Sequence, residues 1–259
     1  MSATEPLGVE RNTASVPVVF DHVDITASDR GASEAFYDLV LASLGVGKTN
    51  SDEEFAEWND FSVATSTGDR PVTRRLHIGF AAPSHELVDA FWRAGTEAGY
   101  RDAGAPGPRP QYRDDYYGAF LLDPDGNSVE AAQHGAMRVG GAIDHLWIRV
   151  ADVAASRAFY ELIAPYAGFR MKNDLGERVH FAGESGSFSV VAGEPTEALH
   201  MAFPATDDEI VRRFHRAATA QGYRDNGVPG ERPVYHPGYY GAFVLDPDGN
   251  NVELVNHNR

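Results

Sequence analysis

The chain of 259 residues contains no cysteine. That excludes a disulfide framework, thiolate metal ligands and a cysteine nucleophile, and it fits a reducing cytoplasm. No apolar run approaches the ~20 residues that a membrane-spanning helix requires. Basic residues are scarce: 22 Lys and Arg against 38 Asp and Glu give a formal net charge of −16. Nucleic acid and anionic membrane surfaces would on average be repelled by such a chain. Residues 1–17 lack the basic start and apolar stretch of a signal peptide and read as a disordered polar tail. The expectation is a cytoplasmic protein with neither a nucleic-acid nor a membrane partner. With 42% hydrophobic and 23% charged residues, the remainder has the composition of an ordinary globular protein with one or two cores.

What is present is a repeat. Asp123-Pro-Asp-Gly-Asn127 recurs as Asp246-Pro-Asp-Gly-Asn250, an offset of 246 − 123 = 123. Tyr116-Tyr-Gly-Ala-Phe120, Gly99-Tyr-Arg-Asp102 and Ala35-Phe-Tyr37 recur on the same diagonal. The offset slips to 127 only between Phe61-Ser-Val63 and Phe188-Ser-Val190, a loop-length change. The reading is two tandem domains, 18–135 and 143–259, joined by a glycine-containing linker at 136–142.

Each copy reads as two β-α-β-β-β passes, so the fold class is α+β. Residues 20–26 alternate as a strand. Ser28 or Asp29 then caps a helix with Ala32, Ala35, Phe36, Leu39 and Val40 on one face, matched by Ala155, Ala158, Phe159, Leu162 and Ile163. Weaker strands fall around 55–66 and 178–192. A second pass opens with the strand 75–81, and the next helix ends at Gly99. The stretch 104–118, rich in Gly, Pro and Tyr, reads as a long loop or wide hairpin. A strand, the Asp-Gly turn and a final strand at 128–132 follow.

Polar residues on predicted core strands stand out, because burying them without partners is costly. Copy one has His22, His77 and Glu130; copy two has His145, His200 and Glu253. The spacings are 55 and 53 residues in both copies. Two imidazoles and a carboxylate suit a divalent metal with positions left open for water or substrate, and without cysteine they favour Fe, Mn, Ni or Zn in a reactive site. The competing reading is of hydrogen-bonded core histidines and a structural glutamate. His134 and His257, four residues after each Glu and on the same strand face, could stand behind the Glu, but at a domain end they read first as solvated termini; His85, His180 and His215 read as surface residues. Beside the first His on its strand face, copy one has Asp24 and Thr26, copy two Trp147 and Arg149. Arg109, Tyr112 and Tyr117, with Arg232, Tyr235 and Tyr240, come from the Gly/Pro loops as candidate rim residues.

Phe20-Asp-His-Val-Asp-Ile25 with Phe36-Tyr37, Asp123-Pro-Asp-Gly-Asn-Ser-Val-Glu130, and their counterparts Ile143-Asp-His-Leu-Trp-Ile148 and Asp246-Pro-Asp-Gly-Asn-Asn-Val-Glu253 resemble the vicinal-oxygen-chelate superfamily. That superfamily holds glyoxalase I, extradiol dioxygenases, thiol transferases and bleomycin-resistance proteins. The resemblance implies a tandem duplication of glyoxalase-like domains, four modules forming two cup-shaped sheets. It implies one metal site of His22, His77 and Glu130 and another of His145, His200 and Glu253, with ligands from within a copy or exchanged between copies. The strands at 61–65 and 188–192 lack the further Glu ligand of glyoxalase I. His236 matches the histidine that extradiol dioxygenases carry ahead of the Asp-Pro turn, so Glu253, His236 and Tyr240 are the catalytic candidates. Trp147, Arg149, Arg232, Tyr235, Arg109, Tyr112 and Tyr117 are the substrate-binding candidates. The leading expectation is a metal-dependent lyase or isomerase, thiol transferase or dioxygenase acting on a small oxygenated molecule. The alternative is a metal-free drug- or metabolite-sequestering protein of the bleomycin-resistance type. Fusion of two domains implies a pseudo-dimeric monomer or a homodimer.

Overall fold

The computed structural model describes residues 19–135 and 140–258. The expected tail at 1–17 lies outside them, as does most of the linker.

The chain is built as four modules. The first holds β1 (His22–Ala27), α1 (Arg30–Ala42), β2 (Asn50–Ser51), β3 (Phe55–Trp58) and β4 (Phe61–Thr65). The second holds β5 (His77–Ala81), α2 (His85–Glu97), β6 (Arg101–Pro108), β7 (Tyr117–Leu122) and β8 (Ser128–Gln133). The third holds β9 (Ile143–Val150), α3 (Val153–Ala167), β10 (Arg170–Asp174), β11 (Arg178–Ala182) and β12 (Ser187–Ala192). The fourth holds β13 (His200–Pro204), α4 (Asp208–Ala220), β14 (Asp225–Glu231), β15 (Tyr240–Leu245) and β16 (Asn251–Asn256).

Local chemistry sets the element ends. Asp29 caps α1 by accepting the N–H of Ala32, and Asp152 does the same for α3. Ser84 and Asp207 cap α2 and α4. Gly168 closes α3 at φ 73°, a left-handed position that only glycine adopts without penalty. The repeated Asp-Pro-Asp-Gly-Asn turn is a buried clamp. Asp123 accepts the N–H groups of Asp125 and Asn127 and the hydroxyl of Tyr37 in α1, while Asn127 bonds the backbone of Thr73 and Leu76. Tyr160 and Asp246 repeat the arrangement.

The two eight-stranded sheets do not follow the sequence copies. One runs β14-β15-β16-β13-β1-β4-β3-β2 and the other β10-β11-β12-β9-β5-β8-β7-β6. The first sheet joins modules one and four; the second joins modules two and three. The seams are antiparallel: β1 on β13, with Asp24 opposite His200, and β5 on β9, with His77 opposite Trp147. Each sheet sends alternate residues inward to the helices, where Tyr37, Phe61, Phe80, Phe159, Phe181 and Phe188 are fully buried. The other set of residues lines a concave face.

Of the two readings of 104–118, the wide hairpin holds: residues 101–108 form the edge strand β6, paired antiparallel with β7, and register breaks near Gly104 accommodate its Gly and Pro. The expected stripe of α1 needs correction: Ala32, Ala35 and Leu39 are exposed, and Ser33, Tyr37 and Leu41 are buried beside Phe36 and Val40.

Candidate metal centres and the cavity above one of them

Each seam brings together three of the six strand residues, but in exchanged sets. His77 of β5 and Glu130 of β8 meet His145 of β9, not His22. His22 of β1 meets His200 of β13 and Glu253 of β16. Of the two arrangements the sequence left open, the residues meet in the one exchanged between copies. His22 and His77 lie in different sheets, because β1 pairs with β13 while β5 pairs with β9.

At the β5–β9 seam the donor atoms form a compact triangle. His77 Nε2 lies 3.0 Å from Glu130 Oε2 and 3.1 Å from His145 Nε2, and His145 Nε2 lies 3.4 Å from Glu130 Oε2. Three ligands ~2.1 Å from one ion at right angles would lie about 3 Å apart, so the set fits one face of an octahedral divalent ion. The surroundings aim the donors. Asp144 accepts the Nδ1–H of His145 at 2.9 Å, which turns Nε2 toward the other two. His134 Nε2 donates to the same carboxylate oxygen at 3.1 Å. The Tyr116 hydroxyl donates to Glu130 Oε1 at 2.8 Å and leaves Oε2 for the centre. Two glycines make room. A Cβ on Gly79 would lie 2.3 Å from His145 Cε1, and one on Gly118 would lie 2.5 Å from Glu130 Oε1.

Electrostatics follow from this burial. Desolvation opposes charge on His145, yet its bonds to Asp144 and Glu130 outweigh it and push the pKa up to about 10. Burial would raise Glu130, but the two histidines bring it down to about 2. Desolvation wins at His77, whose pKa is lowered.

The β1–β13 seam repeats the plan more loosely. His200 Nε2 is 3.1 Å and His22 Nε2 3.7 Å from Glu253 Oε2, and Tyr239 donates to Glu253 Oε1 at 2.7 Å. Asp21 accepts from His22 at 2.8 Å and from His257 at 2.8 Å. Burial opposes charge on His22, but Asp24, Asp21 and Glu253 raise its pKa to about 10. Asp24 also stands 3.9 Å from His200 Nδ1 and accepts a bond from Ser62 on β4.

A cavity of about 960 Å³ opens over the β5–β9 centre. Its walls include Trp147, Arg149, Tyr112, Phe120, Arg178 and His180. Of the substrate-binding candidates, Trp147, Arg149 and Tyr112 therefore face this cavity. Arg109 and Arg232 instead brace their own loops: each bonds a carbonyl, Ala105 or Val228, and lies over a phenyl ring, Phe120 or Phe243. Tyr235 is 61% exposed and packs on Tyr239. Tyr117 and Tyr240 point to the helix side, where Tyr117 donates to Asp89 of α2 and Tyr240 accepts from Arg212 of α4. The Tyr that reaches each carboxylate is the preceding one, because Phe120 and Phe243 sit opposite Glu130 and Glu253 and the pleat carries that face to Tyr116 and Tyr239. His236 does not contact Glu253 or either proposed ligand histidine; it bonds His257 at 2.8 Å.

Sequence reasoning missed Tyr116, Tyr239, Asp21 and Asp144, and it ranked the solvated-terminus reading first for His134 and His257. The last two are not solvated termini but bond the aspartates behind His145 and His22. His180 is not a plain surface residue either, since it lines the cavity and bonds Ser189. The available signal for the aspartates was their place directly before each first His.

Residues 142–254 match the family model described as the Glyoxalase/Bleomycin resistance protein/Dioxygenase superfamily. Among solved structures, the chain is similar to glyoxalase I from Zea mays, at 19% identity over 92% of both chains with a TM-score of 0.65. It is also similar to a proposed dioxygenase of Bacillus subtilis, at 11% identity over 95% of this chain and 87% of that one, TM-score 0.63. Both are likenesses of fold. No curated protein matches the chain.

Proposed function

Since residues 142–254 carry a domain of the glyoxalase/bleomycin resistance protein/dioxygenase superfamily and the first half of the chain repeats it, we propose that the protein is a metal-dependent enzyme acting on a small oxygenated molecule. One divalent ion is held by His77, Glu130 and His145, another by His22, His200 and Glu253. The observation that carries this reading is the 3.0–3.4 Å triangle of donor atoms beneath an open cavity.

A divalent ion bound there would act as a Lewis acid toward the oxygens of the substrate, and three protein ligands leave positions for them. The chain's residues do the rest. Asp144 and Asp21 fix the ring orientation of His145 and His22. Tyr116 and Tyr239 hold one oxygen of each glutamate so that the other faces the cup. Ser62 and Ser189 are what β4 and β12 offer at the matching strand positions, so no carboxylate from those strands takes part. Two histidines and one carboxylate with open positions form the donor set suited to Fe(II) oxygen chemistry, which makes iron the first metal to try.

The test is metal analysis after chelation and reconstitution with Fe(II), Mn(II), Ni(II) or Zn(II). About two ions per chain are expected, one per His/His/Glu set. Less than about a tenth of an ion per chain, unchanged by His145→Ala, would remove the reading and favour a metal-free sequestering protein.

A further inference from the structure

The concave face beside the β5–β9 centre carries cations in a protein whose overall charge is −16. Four arginines line the cavity: Arg75, Arg113, Arg149 and Arg178. Two are neutralised. Arg75 pairs with Glu194 at 3.3 Å and with Glu197, and Arg113 pairs with Asp115 at 2.9 Å. Arg149 and Arg178 form no salt bridge among the described residues. They project from the same cup wall: Arg149 follows His145 and Trp147 on alternate positions of β9, and Arg178 reaches across from β11 to lie 5.3 Å over the Trp147 ring. Tyr112 meets the Trp147 ring edge-on at 5.8 Å.

The other cup is a built-in comparison. Register equates Trp147 with Asp24, Arg149 with Thr26, His180 with Glu57 and Arg178 with Phe55. Both free cations are absent there, Thr26 is locked to the Pro71 carbonyl, and two carboxylates appear. At these strand positions the charge is thus reversed between the cups. An excess of unpaired positive charge confined to one wall, next to an indole and a phenol, is what binds an oxyanion attached to a flat apolar body.

We propose that the β5–β9 cup binds an anionic, planar small molecule, its carboxylate or phosphonate held by Arg149 and Arg178 and its ring against Trp147 and Tyr112. This rests on the metal-cup reading for the ligand's role as substrate, but the anion subsite itself stands on the arginines alone.

The experiment is therefore done first on the full chain stripped by chelator, where no metal can hold the probe. Benzoate and phenylphosphonate are titrated calorimetrically at low salt beside benzamide, their neutral counterpart, and benzamidine, the cation. The anions are expected to bind, with affinity falling as salt rises, and the neutral and cationic probes to bind at least about tenfold more weakly. Arg149→Gln and Arg178→Gln are each expected to weaken benzoate about tenfold, while Arg75→Gln, already neutralised by two glutamates, leaves it within about twofold. Equal binding of benzoate, benzamide and benzamidine would overturn the proposal. So would an unchanged benzoate affinity in the Arg149→Gln/Arg178→Gln double variant with its fold intact by circular dichroism, or a loss in Arg75→Gln as large as in the other two. Anion selectivity that survives alongside a failure to bind any metal would remove the metal reading and leave this one standing.

Discussion

The two cups have equivalent strands, a His/His/Glu set each and the same Tyr behind each glutamate, yet they differ one pleat away, where Asp24 joins His22 and His200 in one cup only. The cup over β5 and β9 has Trp147 and Arg149 where the cup over β1 and β13 has Asp24 and Thr26. The donor triangle is tight in the first, with edges of 3.0–3.4 Å, and looser in the second, where His22 Nε2 stands 3.7 Å from Glu253. The repeat is the same at the His/His/Glu positions and at the Asp-Pro-Asp-Gly-Asn turns and differs at the wall positions beside the histidines. The fold tolerates this because strand residues on the concave face touch few neighbours in the core, so they vary without repacking it.

The sharpest way to break the comparison is to pair ligand substitutions across it. His77→Ala with His145→Ala removes two donors from one cup and is expected to leave about one ion per chain. His77→Ala with His22→Ala strikes both cups and is expected to leave almost none. If the first pair abolished metal binding and His22→Ala with His77→Ala left one ion, the exchanged grouping would be wrong.

Next in size is the support behind each carboxylate. Tyr116→Phe is expected to weaken metal binding at the β5–β9 cup by about 10–100-fold and to leave the other cup unchanged, with Tyr239→Phe the mirror case. Competition against a chromogenic chelator would resolve the two affinities. Gly118→Ala should act in the same cup, since its Cβ would press on Glu130 Oε1 at 2.5 Å; the cost is about 1–3 kcal/mol of stability, read from urea unfolding.

A pH effect common to both cups comes third. His145 and His22 have pKa values raised to about 10, so at neutral pH each binds a proton that a metal must displace. Metal affinity should rise about tenfold per pH unit up to that value, with about one proton released per ion. The metal-free protein behaves oppositely in stability. A pKa raised on folding gives a contribution fully present below the ordinary histidine value of ~6.5 and lost as pH rises through about 10. Urea unfolding of chelated protein across that window would show the decline. A flat profile would mean that the histidines are not held as imidazolium.

The smallest expected effect is at Tyr117 and Tyr240. Their hydroxyls bond on the helix side, so Tyr117→Phe and Tyr240→Phe should change stability by at most about 1 kcal/mol and metal binding not at all. An effect of Tyr117→Phe as large as that of Tyr116→Phe would contradict the strand register.

Much of this molecule is legible in its sequence. The diagonal at 123 gave the repeat, the apolar stripes gave α1 and α3, and His22, His77, Glu130, His145, His200 and Glu253 were picked out by type and spacing. The Tyr-Tyr pairs illustrate where that reading stops. A strand start misplaced by one residue turns the wrong hydroxyl to the site, and the Gly/Pro run before it left loop and hairpin undivided and hid the bulges of β6.

The sequence by itself determined four modules and the residue types at the head and tail of each. Only the tertiary structure decided which modules meet. The seams β1–β13 and β5–β9 are made by backbone N–H and C=O groups, which every residue but proline possesses, so no side-chain pattern announces them. That pairing, more than any residue, puts His145 beside His77 and Glu130 and reverses the wall charge from one cup to the other.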